Sequence, residues 1–221
     1  RRALATAEAV APSILWIDEI EKGLSGVSST GDSGVSSRIF GTFLTWMQEK
    51  EAPVFVMATA NNISALPPEF MRKGRFDEIF FVDLPTLKER VEIFKVHLTK
   101  RLKSPEVAQN IVLDDNLFSR LAEMTEGFIG AEIEQIVISA LYEAFFENRS
   151  LEFKDMEKAV KSIVPLSTTQ REQIIKLREW ADVRAVTATK KEDLAQYKQE
   201  GTDAAKTKTA EHSRGGRTLE F

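Results

Sequence analysis

Two adjacent carboxylates, Asp18 and Glu19, close the apolar run Ser13-Ile14-Leu15-Trp16-Ile17. A run of this kind reads as a strand buried on both faces. Charges at its end then lie at the carboxyl edge of a parallel sheet, where open α/β folds bind ligands. There the first carboxylate could hold Mg²⁺, and the second could activate a water for hydrolysis. The bland alternative is a strand that stops at an acidic turn. Two further polar features follow in order. Asn61 comes just past the second apolar run, Val54-Phe55-Val56-Met57-Ala58. Phe70-Met71-Arg72-Lys73-Gly74-Arg75-Phe76-Asp77 precedes the third, Ile79-Phe80-Phe81-Val82, which ends at Asp83. An Asn amide offers a donor and an acceptor without charge. An Arg guanidinium is always charged and can grip phosphate oxygens with two bonds. Taken singly, Asn61 is an ordinary turn residue, and the Arg pair is a surface pair in which Arg75 anchors the neighbouring strand.

The elements that must position these groups alternate at first between helix and strand, which argues for a parallel sheet. Residues 1–10 are Ala-rich and helix-forming, and Pro12 ends them. Residues 23–37 read as a flexible Gly/Ser loop. The stretch 38–49 carries Ile39, Phe43, Leu44 and Met47 at helical spacing. After Pro85 the pattern is all helix. Thr86 and Glu89 make a capping box ahead of Leu87, Val91, Phe94 and Leu98. A helix over 116–125 is stopped by Gly127. Ile133, Ile136, Val137, Ala140, Leu141 and Ala144 form the cleanest helical stripe. Another helix over 154–163 ends at Pro165, and Thr169 with Glu172 caps one more that carries Ile174, Leu177 and Trp180. From 187 the large apolar residues nearly vanish, which predicts a disordered tail.

Composition bounds the class. The chain has 221 residues, 43% hydrophobic and 29% charged, as in ordinary globular proteins. A net charge of −4 gives no global field for nucleic acid or an anionic membrane. The absence of cysteine excludes disulfides and thiolate metal sites. No run approaches the roughly 20 apolar residues that span a bilayer. The chain starts at Arg1 within helical sequence, so its true N-terminus is expected upstream.

From Ala60-Asn61-Asn62 to Arg72-Lys73-Gly74-Arg75-Phe76-Asp77 the chain resembles the AAA family of ATPases. The stretch is similar to that family's second region of homology, and Asp18 and Glu19 fall on its Walker B pair. The resemblance runs to about Pro165. It implies an α/β fold: part of a parallel P-loop sheet with strands ending at Asp18, Asn61 and Asp83, an all-α lid subdomain and a disordered tail. The boundaries it implies are 1–85 for the C-terminal half of the large ATPase subdomain and 86–165 for the lid. An additional C-terminal helix at 166–186 and a flexible tail at 187–221 follow.

The resemblance also implies roles. Asp18 would bind the ATP-associated Mg²⁺ mainly through water, and Glu19 would polarise the attacking water. Asn61 would be the sensor that bonds this water and the γ-phosphate. Arg72 and Arg75 match arginine fingers, which in this family act on a neighbour's nucleotide in a homo-oligomeric, commonly hexameric ring. Gly127-Phe128-Ile129-Gly130-Ala131-Glu132-Ile133 matches the lid signature, with Gly130 and Ala131 against the adenine. His97 matches a lid histidine that approaches nucleotide, although a helix histidine is more often simply satisfied in place.

Two departures matter. No G-x-x-x-x-G-K-S/T phosphate loop occurs in these residues, so it is expected upstream, and this stretch alone should be inactive. The aromatic pore loop is likewise expected upstream; the Gly/Ser segment 23–37 is either a second pore loop or a linker. Narrower features, Leu177-Arg178-Glu179-Trp180-Ala181 among them, resemble an AAA group known from plastid and cyanobacterial hypothetical reading frames. The expected function is a Mg²⁺-dependent ATPase doing conformational work, in the cytoplasm or plastid stroma, on an unidentified protein client. No nucleic-acid partner and no membrane segment are expected. A scaffold without catalysis is the alternative, and a nucleic-acid motor a weaker one.

Overall fold

The first two apolar runs become β1 (Ser13–Ile17) and β2 (Val54–Ala58), paired in parallel with Ser13 opposite Val54 and Ile17 opposite Ala58. The protein is seen in a computed structural model that describes residues 2–23, 33–72, 74–103 and 109–189, with the backbone alone at 33–40 and 71. A parallel pair needs a crossover, and α2 (Ser33–Glu49) supplies it. α2 begins within the segment read as a Gly/Ser loop, because a growing helix adds a bond for each residue fixed and carries weak formers along at its end. Residues 24–32 of that segment lie outside the described residues. Helix α1 (Arg2–Ala9) precedes β1, and Trp46 Nε1 on α2 donates to Glu8 Oε1 on α1 at 2.9 Å.

The chain divides into two compact units, Arg1–Ile79 and Phe80–Phe221. The core of the first is Ile20, Phe43, Leu44, Met47 and Phe70, with Leu15, Ile17, Val56 and Ala58 packed on it from the strands. The alternate residues point away, and Ile14 and Trp16 stay 72% and 57% exposed. Phe55 and Met57 are exposed beside them. This corrects the expectation of a strand buried on both faces. The side chains alternate with the pleat, and only one face of the described sheet is packed.

In the second unit the third run shortens to β3 (Phe80–Phe81), whose parallel partner is β4 (Val186–Thr187). Between them lie α3 (Leu87–Arg101), α4 (Asp115–Met124), α5 (Gly130–Phe146) and α6 (Phe153–Ser162). α7 (Leu166–Thr169) and α8 (Arg171–Arg184) follow. The apolar stripes of α3 to α6 converge on one core that includes Phe94, Leu98, Leu121, Ile133, Ile136, Val137 and Met156. The Thr86–Glu89 capping box forms as expected, with Thr86 N–H donating to Glu89 Oε2 at 2.8 Å. The Thr169–Glu172 box does not form. Thr169 Oγ1 instead donates to the Leu166 carbonyl at 3.3 Å inside α7, and Gln170 takes the cap position of α8.

Strand β4 was not foreseen. Val186 is buried, and Ala188 N–H donates to the Phe81 carbonyl at 2.9 Å. Arg178 on α8 grips Asp83 with three bonds of 2.8–3.0 Å. The carboxylate that ends the third run is thus engaged with α8, and the chain stays engaged through Thr189, whose Oγ1 donates to Glu89 Oε1 at 3.2 Å. The rest of the segment expected to be a disordered tail, 190–221, lies outside the described residues.

Candidate functional site

The parallel register carries the ends of β1 and β2 side by side, so residues 18–22 meet residues 59–62. The ladder runs one step past the strands, with Ile20 N–H donating to the Thr59 carbonyl at 2.9 Å. Thr59 Oγ1 accepts the Glu19 main-chain N–H at 2.9 Å and donates to Asp18 Oδ1 in a short bond. One hydroxyl therefore holds both carboxylate residues in place. Glu19 sits at φ +47°, a left-handed conformation that side chains other than glycine adopt only under constraint. The Thr59 bond and the ladder bond on either side of it supply that constraint.

Asn61 Nδ2 donates to Glu19 Oε1 at 2.9 Å, which joins the expected activator to the expected sensor across 42 residues of chain. Lys22 Nζ pairs with Glu19 Oε2 at 2.6 Å, and the carboxylate beside it raises the lysine above its ordinary pKa. Asp18 is exposed, with one oxygen on Thr59. An exposed carboxylate at a strand end suits Mg²⁺, which keeps most of its waters when a protein binds it. Asp18, Glu19 and Asn61 are thus brought together in the first unit. Sequence reasoning missed Thr59, Glu21 and Lys22. The signal for Thr59 was its position one residue beyond β2, level with Asp18 in a parallel register.

The arginine turn is fixed by its aromatic residues. Phe70 is buried and stacks on Phe76 with ring centres 5.9 Å apart, while the ring of Phe43 on α2 lies 6.2 Å from that of Phe70. Gly74, at φ +90°, lets the chain reverse between the two phenylalanines. Arg72 is exposed. Arg75 is half-buried, and its Nη1 donates to the Glu69 carbonyl in a short bond. Arg75 therefore anchors its own turn at Glu69 and not the neighbouring strand, and Arg72 is the more open of the two.

His97, Gly130 and Ala131 belong to the second unit. His97 is 20% exposed, and its Nδ1 lies 3.0 Å from Arg101 Nη1 and 3.5 Å from Glu134 Oε1. Arg101 also binds Glu134 and holds that carboxyl below its usual range. Gly130 opens α5, and a Cβ there would meet Ile93 Cδ1 at 3.8 Å, an ordinary contact. Ile93 and His97 lie one turn apart on α3, so His97 and Gly130 share one flank of the α3–α5 packing. Ala131 is exposed beside Gly130.

The comparisons with known proteins cover both units. Residues 1–84 match the profile of the ATPase family associated with various cellular activities, and residues 114–158 match that of the AAA+ lid domain. The chain is similar to the uncharacterized AAA domain-containing protein ycf46 of Pyropia yezoensis, 49% identical over 86% of this chain and 37% of that protein. It is also similar to a proteasome-activating nucleotidase of Aeropyrum pernix, 35% identical over 69% of this chain and 36% of that protein. The chain thus spans little more than a third of these relatives' length. The crystal structure of the FIGL-1 AAA domain in complex with ADP shares the fold, with a TM-score of 0.68 at 18% identity over 84% of this chain and 62% of that one. Local motifs, profiles and fold point the same way on both sides of residue 80: the chain belongs to the AAA family of ATPases.

Proposed function

We propose that these residues are part of a Mg²⁺-dependent ATPase that couples ATP hydrolysis to conformational work in a homo-oligomeric ring. The observation that carries the reading is the Asn61–Glu19 bond of 2.9 Å at adjoining strand ends, with Asp18 beside it. Glu19 takes up a proton from the attacking water, and Asn61 orients that water with its uncharged amide. Asp18 holds the metal's water shell; when bound, Mg²⁺ neutralises charge on the phosphate oxygens. Arg72, exposed on its turn, is the better placed finger for a neighbouring subunit's nucleotide, and Arg75 holds the turn's shape. Such fingers are worth about 10³–10⁵ in rate. Gly130 and Ala131 line the adenine side of the lid, with His97 on the same flank.

The ATPase and nucleotidase names of the relatives support this reading. The site is expected to work in the plastid stroma or cytoplasm on a protein client. Glu19→Gln in the full-length protein tests it. That variant should bind ATP with unchanged affinity and hydrolyse it at least about 10²-fold more slowly. Unchanged turnover would remove Glu19 from the reaction, and absence of ATP binding in the parent protein would favour a scaffold.

A further inference from the structure

Glu21 is buried to 4% exposure, and it forms no salt bridge among the described residues. The other buried acid among the described residues, Asp155, lies in a two-bond pair with Arg149. Glu21 Oε1 accepts the main-chain N–H groups of Asn61 at 2.9 Å and Asn62 at 3.3 Å. Its Oε2 is buried with no hydrogen-bond partner. A buried carboxylate kept on such terms costs stability, so its retention needs a reason. Stability alone offers a poor one, since an apolar residue could fill the space if the turn after β2 took another path.

We propose that Glu21 is a positioning residue for hydrolysis, acting through Asn61. The inference rests on the proposed roles of Glu19 and Asn61. Glu21 stands two residues after Glu19 in one turn and holds the main chain of the facing turn. With that main chain pinned, only two side-chain torsions place the Asn61 amide, which reaches the Glu19 carboxylate at 2.9 Å. The same carboxylate that buries itself under the site therefore sets the spacing between activator and sensor. A shift of about 1 Å in such a pair can cost about 10²-fold in rate. Reach is decisive. An aspartate is one methylene shorter and pulls its oxygen back from both N–H groups, whereas a glutamine keeps an acceptor oxygen at the same distance.

The test is steady-state ATP hydrolysis by the full-length protein carrying Glu21→Gln, Glu21→Asp, Glu21→Ala, Asn61→Ala and the Glu21→Ala/Asn61→Ala pair, with the melting temperature of each. Glu21→Ala and Glu21→Asp should lower kcat by about 10²-fold at unchanged KM for ATP, and Glu21→Gln should restore most of it. In the Asn61→Ala background, Glu21→Ala should lower kcat no further while lowering the melting temperature as before. Multiplying losses in the double variant would overturn the inference and leave the proposed site standing. So would equal kcat for Glu21→Gln and Glu21→Asp, a comparison that survives if Glu21→Ala does not fold. Unchanged turnover in Asn61→Ala would overturn the site reading and this inference with it.

Discussion

A carboxylate does different work according to what surrounds it, and this chain holds three cases. Asp18 is exposed at a strand end, and Glu19 beside it is half-buried, with its oxygens on Asn61 and Lys22. Glu21 is buried to hold two main-chain N–H groups. Asp155, 3% exposed, is purely structural: it binds Arg149 with two bonds of 2.6 Å and accepts the Glu152 N–H at 3.0 Å. The Arg149 guanidinium holds the Asp155 carboxyl below its ordinary value. A carboxyl lowered by folding contributes stability that is complete above the unfolded value and is lost as pH falls through the folded one. The midpoint of urea unfolding followed on the second unit should therefore show this contribution intact at pH 5–7 and fading below about pH 4. Asp155→Asn should flatten that part of the profile and lower stability at pH 7, because it takes from Arg149 its buried charged partner and leaves only Glu147.

At the scale of elements, short local devices decide where helices begin and how they meet. Thr86 and Glu89 start α3. Arg90, buried on α3, donates from Nε to the Ala122 carbonyl at the end of α4 at 2.9 Å and from Nη1 to the Pro85 carbonyl at 2.8 Å. Gly127 turns the chain between α4 and α5 at φ +77°, and a Cβ there would clash with Ser167 Oγ on α7. Gly127→Ala should therefore cost about 2–4 kcal/mol in denaturant unfolding, the sum of a left-handed alanine and an overpacked contact. Measured against Ser167→Gly alone, the same alanine should cost only about 1–2 kcal/mol, because the backbone penalty remains and the clash is gone. An unchanged cost would show that the contact with α7 is not what fixes this glycine.

For the whole molecule, the C-terminal segment is part of the second unit's structure. β4 pairs with β3, Val186 is buried, and Arg178 binds Asp83 from α8. A protein ended after Arg184 should be less stable than one ended after Thr189 by about 2–4 kcal/mol, from the lost valine burial and the bonds to Phe81 and Glu89. Equal stability of the two would mean that β4 adds nothing to the unit. The same comparison by ATP turnover shows whether this segment matters for activity, since β3 follows directly on the arginine turn in the chain.

Much of the candidate site was readable before any coordinates. The order of apolar runs, each ended by a polar residue, located Asp18, Glu19 and Asn61, because strand ends are written locally. The stripe from Ile133 to Ala144 likewise gave α5, because a helix repeats within a few residues. What escaped the sequence was every pairing made between distant turns. Glu21 reads as one more acid after Asp18 and Glu19, and only the parallel register turns it under Asn61. Thr59 carries no signal of its own until that register sets its hydroxyl between two carboxylate residues. Val186 and Thr187 are two residues too short to show a period, and their strand exists because β3 offers them an edge. Local periodicity determines elements and the residues at their ends. Which end faces which is decided by long-range packing, and there the hydrogen bonds of the site are made.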